Sequence, residues 1–168
     1  AMTAQNGHRP LVAFTSLAIA GAGIVAASAY FELVHGLVSG RVVAAGAGLL
    51  AAGLLVSLGH LGRKRRAGLA VAGAGRSALS NEAIAAGLAL AAAAIAAGLD
   101  LAGAHARAAT AIAGGVNAAF LVSVGLVYRI RGQRTWTGFS AATPLTGGLA
   151  FGAMAVQTAA ESGDVFLG

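Results

Sequence analysis

The sequence predicts an all-α, polytopic membrane helix bundle with about five transmembrane helices. Three observations predict it. Of 168 residues, 58% are hydrophobic and 10% charged, with a mean hydropathy of +0.82, whereas a soluble domain carries about 25% charged residues. Such a chain lacks the polar surface to cover itself in water. The apolar residues come in blocks of about 20, the length a helix needs to cross the hydrocarbon of a bilayer. Nine of the eleven Lys and Arg residues fall in the segments that alternating spans place on one side, and such a bias sets topology.

The first span covers roughly 11–33. It follows Pro10, whose missing N–H and fixed φ suit a helix start. It is too long for a signal-peptide core, and more spans follow it. The second covers roughly 42–61 and carries His60 near its end. The third covers roughly 81–99. Ser80 or Asn81 just before or at its start is a good N-cap. The fourth covers roughly 104–130. The fifth starts near Pro144 and fades around 160. All five are rich in Ala and Gly. Small residues let helix backbones approach closely in lipid, where packing replaces the hydrophobic drive. Gly148-x-x-x-Gly152 fits that pattern.

Two connections are long. Residues 62–80 begin "GRKRR" and continue "AGLAVAGAGRSALS", which reads as a short surface helix. Residues 131–143, "RGQRTWTGFSAAT", hold the single tryptophan. Trp136 fits a membrane-interface anchor. The tail "ESGDVFLG" is polar, then apolar, and gives no further span.

Cysteine is absent, which excludes disulfides, thiolate metal sites and cysteine-ligated iron–sulfur clusters within the chain. The sequence pI near 11.4 does not point to nucleic acid, because the cations lie between spans. Arg9, Arg63, Lys64, Arg65, Arg66, Arg76, Arg129, Arg131 and Arg134 share one side; Arg41 and Arg107 take the other. The positive-inside rule then puts the N-terminus and both basic loops in the cytoplasm.

The residues with chemistry are few. His60 closes the second span and Glu82 opens the third, so they share one membrane edge. Burial at such an edge favours a neutral carboxyl, and histidine titrates near neutrality. Together they can accept the protons that a quinol releases on oxidation. The plainer reading is that Glu82 complements the N-terminal dipole of its helix. Glu32 and His35, spaced i, i+3, share a helix face and read as an interfacial hydrogen bond. His35 and His105 fall on the side opposite His60, and as a pair they would be the candidates for a b-type haem. Asn117 and Gln157 read as interhelical hydrogen-bond partners. Arg76 reads first as a contact to lipid phosphate, and otherwise to a quinone oxygen or a partner subunit. No metal site is expected.

"HLGRKRRAGLAVAGAGRSALSNEA" resembles the signature of the membrane-anchor subunit of the dimethyl sulfoxide reductase family. In that family an "HLG" motif precedes a basic and apolar loop that ends in "SALSNE". Here these are His60-Leu61-Gly62 and Ser77-Ala78-Leu79-Ser80-Asn81-Glu82. "PLVAFTSLAIAGAG" (10–23) and "VYRIRGQRTWTGFSAATP" (127–144) are similar to two further family stretches. The chain departs from the family in having about five spans, where typical members have eight, and in its "RKRR" run.

The resemblance implies a multi-pass protein of a prokaryotic cell inner membrane that works in anaerobic respiratory electron transport. It implies a haem-free subunit that oxidises a quinol, usually menaquinol. The electrons would pass to a ferredoxin-like iron–sulfur subunit and on to a molybdopterin catalytic subunit. Further membrane helices from another chain would complete a short variant. His60 and Glu82 map onto the quinol-site pair, with Arg76, Ser80 and Asn81 beside them. The alternatives are a structural anchor without a redox site and a b-type cytochrome subunit.

Overall fold

The computed structural model describes residues 9–60, 78–127, 138–163 and 166–167. Five helices hold nearly all of them: α1 (Arg9–His35), α2 (Gly40–His60), α3 (Ala78–Leu101), α4 (Arg107–Val127) and α5 (Gly138–Glu161). Two short strands, β1 (Leu37–Val38) and β2 (Phe166–Leu167), pair antiparallel with Leu37 opposite Leu167. The expected all-α bundle is the observed architecture. Four helices, α1 to α4, are long and apolar enough to cross a membrane. The fifth is just as long, at 24 residues, but less apolar.

Helix ends differ from expectation where local chemistry intervenes. The third helix begins at Ala78, so Ser80 and Asn81 lie inside it rather than at its cap. The fourth begins at Arg107, not Ala104. Gly103 has φ +73°, a left-handed turn that ends α3 and suits glycine, and 104–106 run on without helical structure. The fifth begins at Gly138, with Pro144 inside it. Proline removes one backbone donor there.

The helices alternate in direction. One edge of the bundle gathers the C-terminal ends of α1, α3 and α5 and the N-terminal ends of α2 and α4. Contacts among Glu32, Leu33, Gly40, Asp100, His105 and Arg107 define that edge. The opposite edge holds the ends of α2 and α4 and the starts of α3 and α5.

At the centre of the bundle, α1 packs against α2, α4 and α5, and α3 packs on α2 and α4. Flanking α1, α2 and α5 barely touch each other. The core is built from small residues around a few large ones. Ala18, Ala22, Ala86 and Ala89 surround Leu50, Phe120, Leu121 and Val124. On α3 the buried alanines 86, 89, 93, 96 and 97 recur at helical spacing and make one face. Leu88 and Ile95 project from its other side and are exposed, as lipid-facing residues are.

Glycine sets the closest approaches. A Cβ on Gly21 would stand 2.5 Å from the carbonyl oxygen of Gly46, so α1 and α2 meet backbone to backbone. Gly148 and Gly152 of α5 straddle Gly23 of α1 in the same way, and a Cβ on Gly23 or Gly152 would collide with the other helix's backbone. The small-residue motif therefore packs α5 onto α1, as such motifs do in lipid.

Candidate functional site

Glu82 is the fifth residue of α3. It is only 6% exposed. Its burial follows from register. Positions 82, 86, 89, 93, 97 and 100 fall on one helical stripe, and that stripe is the face α3 packs into the bundle. Glu82 thus ends a column of buried alanines, with Asp100 ending it on the other side. Five turns separate the two carboxylates, about 27 Å at 1.5 Å per residue. Among the described residues Glu82 has no ion pair or hydrogen bond. From Ala86, one turn further along the same face, α3 packs into the apolar cluster of Phe120, Leu121 and Val124. A carboxylate in such surroundings is expensive. A helix-dipole contact does not require burial, and its effect fades within the first turn.

Beside Glu82, Ser80 is half-buried and Asn81 exposed. Both have polar partners. His60 is the last residue of α2, so its backbone reaches the edge where Glu82 lies. Its ring, and all of Arg63 to Arg66 and Arg76, lie outside the described residues. So do Trp136 and the basic connection that carries it.

The opposite edge holds a cluster that the sequence reading missed. His105, in the connection between α3 and α4, donates from Nδ1 to Oδ1 of Asp100 at 2.7 Å. Its Nε2 stands 3.3 Å from Oε1 of Glu32 on α1. Glu32 is 4% exposed, and that oxygen has no partner with hydrogen-bond geometry. Since Nδ1 must donate to a carboxylate, the Nε2–Glu32 contact is favourable when one proton lies between them. Arg107 donates to the carbonyl oxygen of Leu33 at 2.7 Å, which ties α4 to the end of α1. Gly40 lets the start of α2 close onto the Asp100 side chain, where a Cβ would collide. The sequence signal was Asp100 on the packed stripe of α3, with histidine five residues later and a glycine turn between them.

Two expectations are corrected here. Glu32 meets His105, not His35. The His35 ring instead lies against Phe31, centroids 5.5 Å apart, and against Tyr30, because its i−4 and i−5 neighbours are aromatic. Gln157 was expected between helices; it is exposed on α5, since the packed face of α5 is the one that carries Gly148, Gly152 and Val156. The expectation for Asn117 holds. Its amide donates to the carbonyl oxygen of Ala89 across the α3–α4 interface at 3.1 Å and to that of Ala113 at 2.9 Å.

As arranged, both ring nitrogens of His105 face carboxylates. They point to opposite sides of the ring, so Glu32, Asp100 and His105 share no coordination point. Among the described residues no group of three or more His, Asp or Glu side chains can hold a metal ion.

No family model, curated protein or solved structure matches the chain.

Proposed function

We propose that this chain is the quinol-oxidising membrane anchor of a molybdopterin oxidoreductase complex, with His60 and Glu82 as its proton acceptors. The observation that carries this reading is Glu82: a carboxylate buried on the packed face of α3, at the edge where α2 ends in His60, without a charged partner among the described residues. The "HLG…SALSNE" motif supplies the substrate class, menaquinol.

A quinol ring between the two groups gives up two electrons and two protons and leaves as quinone. One hydroxyl proton goes to the imidazole of His60 and the other to the carboxylate of Glu82. The two electrons would leave one at a time to the iron–sulfur subunit, which supplies the electron acceptor when that partner is bound. Arg76, Ser80 and Asn81 supply polar contacts to the quinone oxygens. In this reading the N-terminus and both basic loops lie in the cytoplasm of a prokaryotic cell, and the soluble subunits dock there.

The test is a pair of variants, His60→Ala and Glu82→Gln, in the assembled complex. Each is expected to cut menaquinol oxidation by about 10²–10⁴-fold, the usual worth of a positioned base. Activity with an artificial donor that reduces the soluble subunits directly is expected to survive. Quinol oxidation at wild-type rates in both variants would give the lead to a structural anchor without redox chemistry. A Soret band at stoichiometric haem in the purified chain would give it to a b-type cytochrome subunit.

A further inference from the structure

The flanks of α1 leave a groove. Because α2 and α5 both pack on α1 and scarcely meet, a cavity of about 580 Å³ runs between them. Its floor reaches Ile24 of α1. Val42 and Ala45 line it from α2, and Phe151, Met154 and Ala155 from α5. Arg41 stands at its mouth, with Thr158 and Ser162 across from it.

The groove is graded along the membrane normal. Arg41 and Ser162 lie at the carboxylate edge, at the first turn of α2 and just past the end of α5. Ser162 and Phe151 are eleven positions apart, as are His35 at the end of α1 and Ile24 on the floor. Eleven residues of helix rise about 16 Å. One leaflet of a hydrocarbon core about 30 Å thick takes about 15 Å. The polar end of the groove therefore sits at headgroup depth and its apolar end near the midplane.

At the aqueous end the two walls are joined. β1 leads into α2 and β2 follows α5, so their pairing ties the two walls together at that end. Glu32 and Asp100 do not line the groove; both face His105.

We infer that this groove binds one anionic glycerophospholipid. The phosphate rests on the Arg41 guanidinium and an acyl chain lies along Ala45, Met154 and Phe151. A guanidinium carries five N–H donors, so it can hold a partner within the protein and a phosphate together. The match of length and of charge position favours a lipid over a quinone, which has no charge for Arg41 to meet. The inference does not depend on the proposed quinol chemistry at the other edge.

The test uses the full chain purified in mild detergent, with native mass spectrometry and thermal unfolding as readouts. Added phosphatidylglycerol is expected to stay bound at one copy and to raise the unfolding temperature, while phosphatidylcholine does so weakly. Arg41→Gln is expected to lower retention of phosphatidylglycerol about tenfold, the worth of a charge-assisted contact. Ala45→Trp, which fills the groove and keeps the charge, is expected to lower it as well. Either loss, in a variant whose helical content matches the wild type, supports the site. Equal retention by wild type and both variants would overturn it. So would a thermal shift with inorganic phosphate equal to that with the lipid, or a dimer whose interface fills the groove.

Discussion

The two edges of the bundle treat a buried carboxylate in opposite ways. At one edge Glu32 is enclosed, but His105 stands beside it and Asp100 holds the far side of that ring. Helices α1 and α3 and the connection to α4 are fastened together by the arrangement. At the other edge Glu82 is buried as deeply, yet no charged group meets it among the described residues. The first carboxylate belongs to a structural clasp. The second costs stability with nothing in the described fold to offset it, which is the pattern expected of a group kept for chemistry.

The contrast is broken or sharpened by exchanging the experiments between edges. Under the proposed function, the largest effect falls on quinol oxidation. Glu82→Gln is expected to lose about 10²–10⁴-fold, while Glu32→Gln at the other edge leaves the rate of the complex unchanged. Steady-state assays of both variants check this, and equal losses would erase the distinction. Stability is expected to run the other way. His105→Ala leaves Glu32 buried without its partner and is expected to cost about 1–3 kcal/mol, less than a fully buried pair because the ring is partly exposed. Glu82→Gln is expected to hold stability or raise it. Thermal or denaturant unfolding in detergent measures both.

Arg107→Gln removes the bond from the α4 start to Leu33, and a loss of about 0.5–1.5 kcal/mol is expected in the same assay. Asn117→Leu probes the middle of the bundle, between the edges. It gives up two amide bonds but also removes a buried carbonyl oxygen that has no partner. The expected cost is small, about 0.6 kcal/mol, as for interhelical hydrogen bonds in lipid generally.

How much of this the sequence revealed depends on the range of the force involved. Helix existence follows from blocks of apolar residues, so every helix was legible, four of them to within three positions, while α5 begins six residues before the expected Pro144. Ends set by one residue were less so. The glycine turn at Gly103 moved the start of α4 three residues past expectation, and those residues include His105. The β1–β2 pair was not legible, because two residues on each side carry no periodicity and the partners are 130 positions apart. Glu82 was singled out by its place at the start of the third span and by its motif, and its burial is readable from the alanine stripe at 86, 89 and 93. The pairing of Glu32 was misread because i, i+3 spacing describes one helix, whereas its partner comes from another segment of the chain.

The glycine contact between α1 and α5 has a consequence for biogenesis. Helix α1, the most enclosed of the four apolar helices in the finished bundle, is made before the helices that cover it, and its Gly23 seat stays empty until more than a hundred further residues have been made. During that interval lipid must cover the faces of α1, which it can do because those faces are mostly Ala, Gly and Val. Helix α5 is the least apolar of the five described, and the notch at Gly148 and Gly152 gives it a proteinaceous docking place in compensation. Insertion of α5 is thus coupled to a neighbour already in the bilayer. Bulk added at Gly23, even as a single leucine, is expected to keep α5 from seating on α1 at all, rather than merely loosen a packed pair.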